Sequence, residues 1–220
     1  MKKFFLILTV VFLWHNVDAQ RFLGAIAFGT NLTQIEGDEI YGYKKAGFNV
    51  GVASFLPIHK KFFVSLELSF SQKGSYQKYP FEEDPTKGLP FYKLRLDYLE
   101  IPLLVHFEDK HFAMIGTGVA LNRLVGVKEI EWGVRTPTTV RNRVYSHNDW
   151  EWVIDVRLRL YKSLRFDFRY EYSLAKIRTR TFSNIAGDTW QRDQFNNVLT
   201  FRLVYTFNEK INAEDEQNGQ

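Results

Sequence analysis

The chain has 220 residues, with 29 lysines and arginines against 25 aspartates and glutamates, a net charge of +4 and no cysteine. That length suits one domain, and the missing cysteines exclude disulfides, a thiol nucleophile and lipid attachment through sulfur. The cations are scattered and mostly alternate with apolar residues, so the sequence offers no basic patch for nucleic acid.

Residues 1–19 read as a secretory signal. Lys2 and Lys3 open it, an apolar run follows over 4–13, and Val17-Asp18-Ala19 suits a peptidase, so cleavage is expected before Gln20. The run is about half the ~20 residues a membrane-spanning helix needs. Eight strands are then expected, over residues 22–31, 43–56, 61–76, 91–108, 111–124, 148–161, 164–177 and 194–207. The connections between them alternate long and short. Those at 32–42, 77–90, 125–147 and 178–193 are long, and those at 57–60, 109–110 and 162–163 are short. In an up-and-down meander every second connection shares a rim, so one rim carries four long loops and the other three short turns. Outer-membrane barrels have this asymmetry, with the long loops outside the cell. Residues 208–220 are polar and acidic and read as a disordered tail.

The alternation within strands sets the environment. In the seventh strand Leu164, Phe166, Phe168, Tyr170, Tyr172 and Leu174 alternate with Arg165, Asp167, Arg169, Glu171 and Ser173. Successive side chains of a strand point to opposite faces. Strands at 148–161 and 194–207 repeat the pattern: Trp152, Ile154 and Leu158 oppose Glu151, Asp155 and Arg157, and Leu199 and Phe201 oppose Thr200 and Arg202. The apolar face is read as touching lipid and the charged face as lining the lumen. The fourth strand changes phase: Leu94, Leu96 and Tyr98 share one parity, and Leu99, Ile101, Leu103, Val105 and Phe107 the next. A bulge near Tyr98-Leu99 is expected to restore a single face. The first, second and fifth strands are rich in Gly and Ala, which leaves room for large side chains opposite. Aromatics are 16% of the chain; Tyr41, Tyr43, Tyr76, Trp150, Trp152 and Tyr172 fall near the long-loop rim, and Phe62, Phe107, Phe112, Tyr161, Tyr205 and Phe207 near the other, as two interfacial belts.

Parity places Glu67, Arg95, Asp97, Glu100, Glu151, Asp155, Arg157, Arg159, Arg165, Asp167, Arg169, Glu171 and Arg202 in the lumen. Six arginines face seven carboxylates, and eight strands enclose a space that side chains about fill. A neutralising salt-bridge network is expected rather than a wide channel. Arginine suits it because its planar fork serves several carboxylates at once.

Catalytic groupings are thin. No two histidines have zinc-ligand spacing on one face, and no metal or cofactor is expected. His106 is expected inside near Glu100, and Ser146, His147 and Asp149 adjoin in a long loop, whereas a triad needs convergence in space. The run Glu36-Gly37-Asp38-Glu39 lacks calcium-loop spacing.

Three stretches carry a family likeness. They are Gln34-Ile35-Glu36-Gly37-Asp38 with Gly42-Tyr43-Lys44-Lys45-Ala46-Gly47-Phe48; Glu67-Leu68-Ser69-Phe70-Ser71-Gln72-Lys73-Gly74-Ser75; and Tyr98-Leu99-Glu100-Ile101-Pro102-Leu103-Leu104. Together they resemble the PorT-like outer-membrane β-barrel family of Gram-negative bacteria. The resemblance implies an eight-stranded outer-membrane barrel, and its namesake takes part in protein secretion by the type IX system. It supplies no catalytic residues.

The sequence thus predicts an all-β, eight-stranded antiparallel up-and-down transmembrane barrel over residues 20–207. It is expected to be non-enzymatic and monomeric, with outer-membrane lipid and lipopolysaccharide around it and cell-envelope or secretion proteins meeting its loops. Arg135, Arg141 and Arg143 in the longest loop suit an anionic partner. Two alternatives stand: an outer-membrane lipid-modifying or proteolytic enzyme using His147 or His106, and a soluble periplasmic barrel of lipocalin type, which would need the opposite sidedness.

Overall fold

The computed structural model describes residues 22–78, 92–109, 112–184 and 186–207; the expected signal at 1–19, the expected tail at 208–220 and most of the 77–90 connection lie outside the described residues. The chain runs through β1 (Leu23–Glu36), β2 (Lys45–His59), β3 (Phe62–Gln77), β4 (Tyr92–Asp109), β5 (Ala113–Glu131), β6 (Val134–Arg135), β7 (Asn148–Tyr161), β8 (Leu164–Ser173), β9 (Arg178–Ser183) and β10 (Thr189–Thr206), with a 3-10 turn at Val140–Asn142. Eight of these form an antiparallel ring in the order β1-β2-β3-β4-β5-β7-β8-β10. β10 returns to β1, with Ala25 opposite Thr206 and Glu36 opposite Phe195. Closure leaves no free strand edge within the ring. β6 forms a hairpin with the end of β5, and β9 one with the start of β10.

The sidedness follows the alternation. Phe168, Leu203, Trp152, Leu66 and Leu68 are exposed on the outer surface, whereas Arg165, Asp167, Arg169, Glu151 and Arg202 are buried within. This is the arrangement of a barrel whose solvent is lipid, and the reverse of a lipocalin.

Several strands run further than periodicity suggested. β1 continues to Glu36, β5 to Glu131, and β10 starts at Thr189. Crossing a bilayer takes only about 9–11 residues of tilted strand, so β4 with 18 residues and β5 with 19 project beyond it. Much of what read as long loop is therefore paired strand standing clear of the membrane. At the opposite rim β2 passes through Pro57 to His59, with a register shift between the two that accommodates the missing proline donor. β8 ends at Ser173, four residues early.

β4 corrects the expected phase change. It keeps one phase throughout: Tyr92, Leu94, Leu96, Tyr98, Glu100, Pro102, Leu104, His106 and Glu108 all face inward. The irregularity is on β5 instead, where Asp97 pairs with Gly126 and Tyr98 with Leu124, leaving Val125 as the extra residue. Leu94, Leu96 and Tyr98 therefore point into the barrel, and Arg95 and Asp97 point to its outer side, Arg95 partly exposed and Asp97 covered by its neighbours.

Candidate functional site

The lumen is built in layers, and strand register dictates the central one. β7 and β8 pair so that Arg157 stands opposite Asp167 and Asp155 opposite Arg169. β8 and β10 pair so that Asp167 also stands opposite Arg202. The alternating charges of β8 are thereby interleaved with those of both neighbours. Glu67 reaches across from β3 and accepts from Arg157 at 2.6 Å, Arg169 at 2.7 Å and Arg202 at 3.3 Å. Asp155 accepts from Arg157 at 2.7 Å and Arg169 at 3.2 Å, and Asp167 from Arg202 at 2.5 Å.

Slightly nearer the loops, the ammonium of Lys73 sits among three carboxylates: Glu151 at 2.5 Å, Glu100 at 2.7 Å and Glu171 at 3.3 Å. Among the described residues these three glutamates are also the one acidic grouping compact enough for a metal ion, but Lys73 occupies its middle. Arg169 links the two clusters, its Nη1 lying 3.6 Å from Glu171. Near the short turns a smaller pair closes the layer, with Arg165 on Glu108 at 2.9 Å.

The sequence-predicted residues divide accordingly. Glu67, Glu100, Glu151, Asp155, Arg157, Arg165, Asp167, Arg169, Glu171 and Arg202 are buried in the lumen. Arg159 faces inward but lies at the short-turn rim, 3.7 Å from Glu108 and partly exposed. Arg95 and Asp97 pair with each other outside, at 2.8 Å. Parity counted from the wrong side of the supposed bulge misplaced them. Lys73, Glu108 and Asp149 were missed, although Lys73 shares the parity of Glu67, Glu108 that of Glu100, and Asp149 that of Glu151.

His106 has different company from that expected. Ser65 Oγ lies 2.7 Å from its Nε2, and Asp155 Oδ1 lies 3.3 Å from its Nδ1. The order resembles a hydrolytic triad. All three residues are completely buried, however, and Asp155 already serves two arginines. The Phe55 ring lies tilted against the imidazole at 5.8 Å, and a Cβ on Gly116 would come within 2.2 Å of Nδ1. The group is packed as core, with Gly116 making the room, and no substrate reaches Ser65. His147 Nε2 is 2.8 Å from the Val140 carbonyl, while Asp149 binds Ser173 and Asn196, so the loop grouping diverges.

Above the ionic layer the lumen turns apolar. Ile35, Tyr92, Leu94, Leu96, Tyr98, Leu124, Tyr145 and Ile177 form one buried cluster. Three connections close over it. Glu129 accepts from Tyr145 and Arg178, both at 2.9 Å, and from Thr138 at 2.8 Å. Arg180 meets Glu131 at 2.9 Å, with its guanidinium over the Tyr92 and Phe182 rings. Trp190 Nε1 donates to Glu39 at 2.7 Å, and Tyr172 donates to Glu36 at 2.7 Å. Glu36 and Glu39 are thus held by protein partners. Between them Asp38 turns inward, and burial pushes its carboxyl up to about 6 despite Ser75, the Ile40 amide and Arg180.

The profile of the outer membrane protein beta-barrel domain family matches residues 18–178. No curated protein matches the sequence. Among solved structures, Ail, the attachment invasion locus protein of Yersinia pestis, determined with the heparin analogue sucrose octasulfate, superposes with a TM-score of 0.50 at 11% identity. The match covers 85% of this chain and 99% of that one. Neisserial surface protein A gives a TM-score of 0.45 at 12% identity, over 84% and 96% of the two chains. OprG from Pseudomonas aeruginosa gives 0.40 at 11%, over 84% and 97%. At 11% identity the likeness to Ail is one of fold.

Proposed function

The chain belongs to the outer membrane protein beta-barrel domain family, and from that premise we propose a non-enzymatic barrel with a closed lumen whose loops present one rigid platform to a partner at the cell surface. The observation that carries this reading is the cap. Trp190 at the start of β10 donates to Glu39 of the β1–β2 connection, and Glu129 at the end of β5 gathers Tyr145 and Thr138 of the β5–β7 connection with Arg178 of β9. A lumen filled with paired charges favours presentation over conduction, because an eight-stranded barrel has no spare interior. The exposed arginines Arg135, Arg141 and Arg143 favour an anionic partner. Within this reading residues 1–19 are a cleaved export signal, residues 208–220 a soluble tail and the barrel a monomer. The resemblance of three stretches to PorT-like proteins favours a partner from the secretion machinery.

The test is to replace residues 132–147 by a two-residue turn and capture partners from intact outer membranes. The parent protein is expected to retain a defined envelope protein that the shortened one loses, while both insert equally. Equal capture by both forms would remove the platform from the account. A hydrolase reading requires that esterase or protease activity vanish in Ser65→Ala or His147→Ala; here neither substitution is expected to change any turnover.

A further inference from the structure

The loop-side edge of the lipid-facing band differs around the barrel. On β7, β8 and β10 it is aromatic, with Trp150 and Trp152 exposed and Tyr172 stacked on Phe195. On β4 and β5 it is cationic. Going up β4, the outward residues are Val105, Leu103, Ile101 and Leu99, then Asp97, Arg95 and Lys93. Going up β5, Leu121 gives way to Arg123 and then Lys128. Arg95 and Lys128 stand directly opposite each other, and Arg123 opposite Leu99.

Like charges placed directly across a strand pair repel, so an anion bound between them would relieve the repulsion. Asp97 supplies one to Arg95, but it is shared with Gln72 at 3.1 Å. Below the cations, an open groove on the outer surface is lined by Val52, Ser54, Leu66, Leu68 and Ile101. Ile101 in this groove lies two residues from Leu99, which stands opposite Arg123, and six from Arg95, or about 7 and 20 Å along a strand. We propose that Lys93, Arg95, Arg123 and Lys128 bind the phosphates of an anionic outer-leaflet glycolipid whose acyl chains lie over Leu99, Ile101 and the groove beside them. The site rests on the reading of the chain as an outer-membrane barrel and is distinct from the loop platform.

The full-length protein, folded in zwitterionic detergent, is titrated with bisphosphorylated lipid A, with the same lipid stripped of phosphate, and with inorganic phosphate, and bound lipid is counted by native mass spectrometry. Each basic residue near an anionic membrane surface contributes about fivefold in affinity, so Arg95→Gln/Lys128→Gln is expected to weaken the phosphorylated lipid by about twentyfold or more. Removing the phosphates should do the same to the parent, and Lys93→Gln alone should cost about fivefold. Arg135→Gln/Arg141→Gln/Arg143→Gln should bind like the parent. Equal binding by parent and double variant, or equal binding of the two lipids, overturns the proposal. Inorganic phosphate binding as tightly as the lipid would make this a plain anion site and overturn it too. Compact migration in unboiled gels checks that each variant is a folded barrel; loss of that band in the parent itself would count instead against the barrel reading.

Discussion

The two halves of β4 obey opposite rules. From Leu99 downward the outside is apolar, with Leu99, Ile101, Leu103 and Val105 exposed, and the inside is mostly polar, with Glu100, His106 and Glu108 buried beside Pro102 and Leu104. From Tyr98 upward the inside is apolar, with Tyr92, Leu94, Leu96 and Tyr98 buried, and the outside carries Lys93, Arg95 and Asp97. The backbone phase is continuous; what changes is the solvent. Where lipid surrounds the strand, apolar side chains gain nothing by facing inward and the charges gather in the lumen. Where water surrounds it, the hydrophobic effect restores the ordering of a soluble protein. The parity break in the sequence is therefore a marker of the membrane boundary.

The largest expected effect lies in the embedded half. Lys73→Met removes the cation shared by Glu100, Glu151 and Glu171 and strands them in a dry interior. Breaking a buried ion group from one side costs on the order of 3–5 kcal/mol. Unfolding in urea, followed by gel mobility, should show the midpoint falling by that equivalent, with partial recovery in Lys73→Met/Glu151→Gln. A midpoint unchanged in the single variant would mean that the network is not what fills the lumen.

The comparison sharpens when one charge is placed on either side of the boundary. Leu103→Arg puts a guanidinium at the middle of the lipid-facing stretch of β4, where about 2–4 kcal/mol is expected to be lost. Leu99 and Lys93 are only six residues apart, yet Lys93→Leu, on the watered side, should change stability by less than about 0.5 kcal/mol. Comparable losses from both would place the boundary elsewhere on β4.

How much of this was legible follows from the same contrast. Inside the lipid band strict alternation is enforced on both faces, so β7, β8 and the end of β10 could be read residue by residue. The ring order followed from the alternating loop lengths. Beyond the band one face is solvated and tolerant, so β5 past Leu124 and β10 before Gln194 show little period, and their strands passed for loops. Arg95 and Asp97 were misplaced because a change of solvent and a bulge leave the same trace in a sequence. The Ser65–His106–Asp155 contact and the Glu129–Tyr145–Arg178 knot join residues far apart in the chain, and only the register and the closure of the barrel bring them together.

The last effect belongs to the cap and separates it from the ionic layer by its response to pH. Asp38 sits at the inner side of the β1–β2 connection, with its carboxyl raised by burial from 3.8 to about 6. A carboxyl raised on folding favours the closed loop fully below its unfolded value and loses that contribution as pH climbs through its folded value. The loop should accordingly be tightest near pH 4 and loosen across pH 4–7, by about 3 kcal/mol at most, since each unit is worth about 1.4 kcal/mol. The Ile40 amide, which donates to Asp38 Oδ1 at 2.8 Å, and the Gly42 amide, which donates to Gln34 at 3.0 Å, are the reporters. Their hydrogen-exchange protection, corrected for intrinsic base catalysis, should fall with rising pH in the parent and stay flat in Asp38→Asn. Protection that instead rose with pH would mean that the ionised carboxylate is the form that holds the loop, with Arg180 rather than burial governing it.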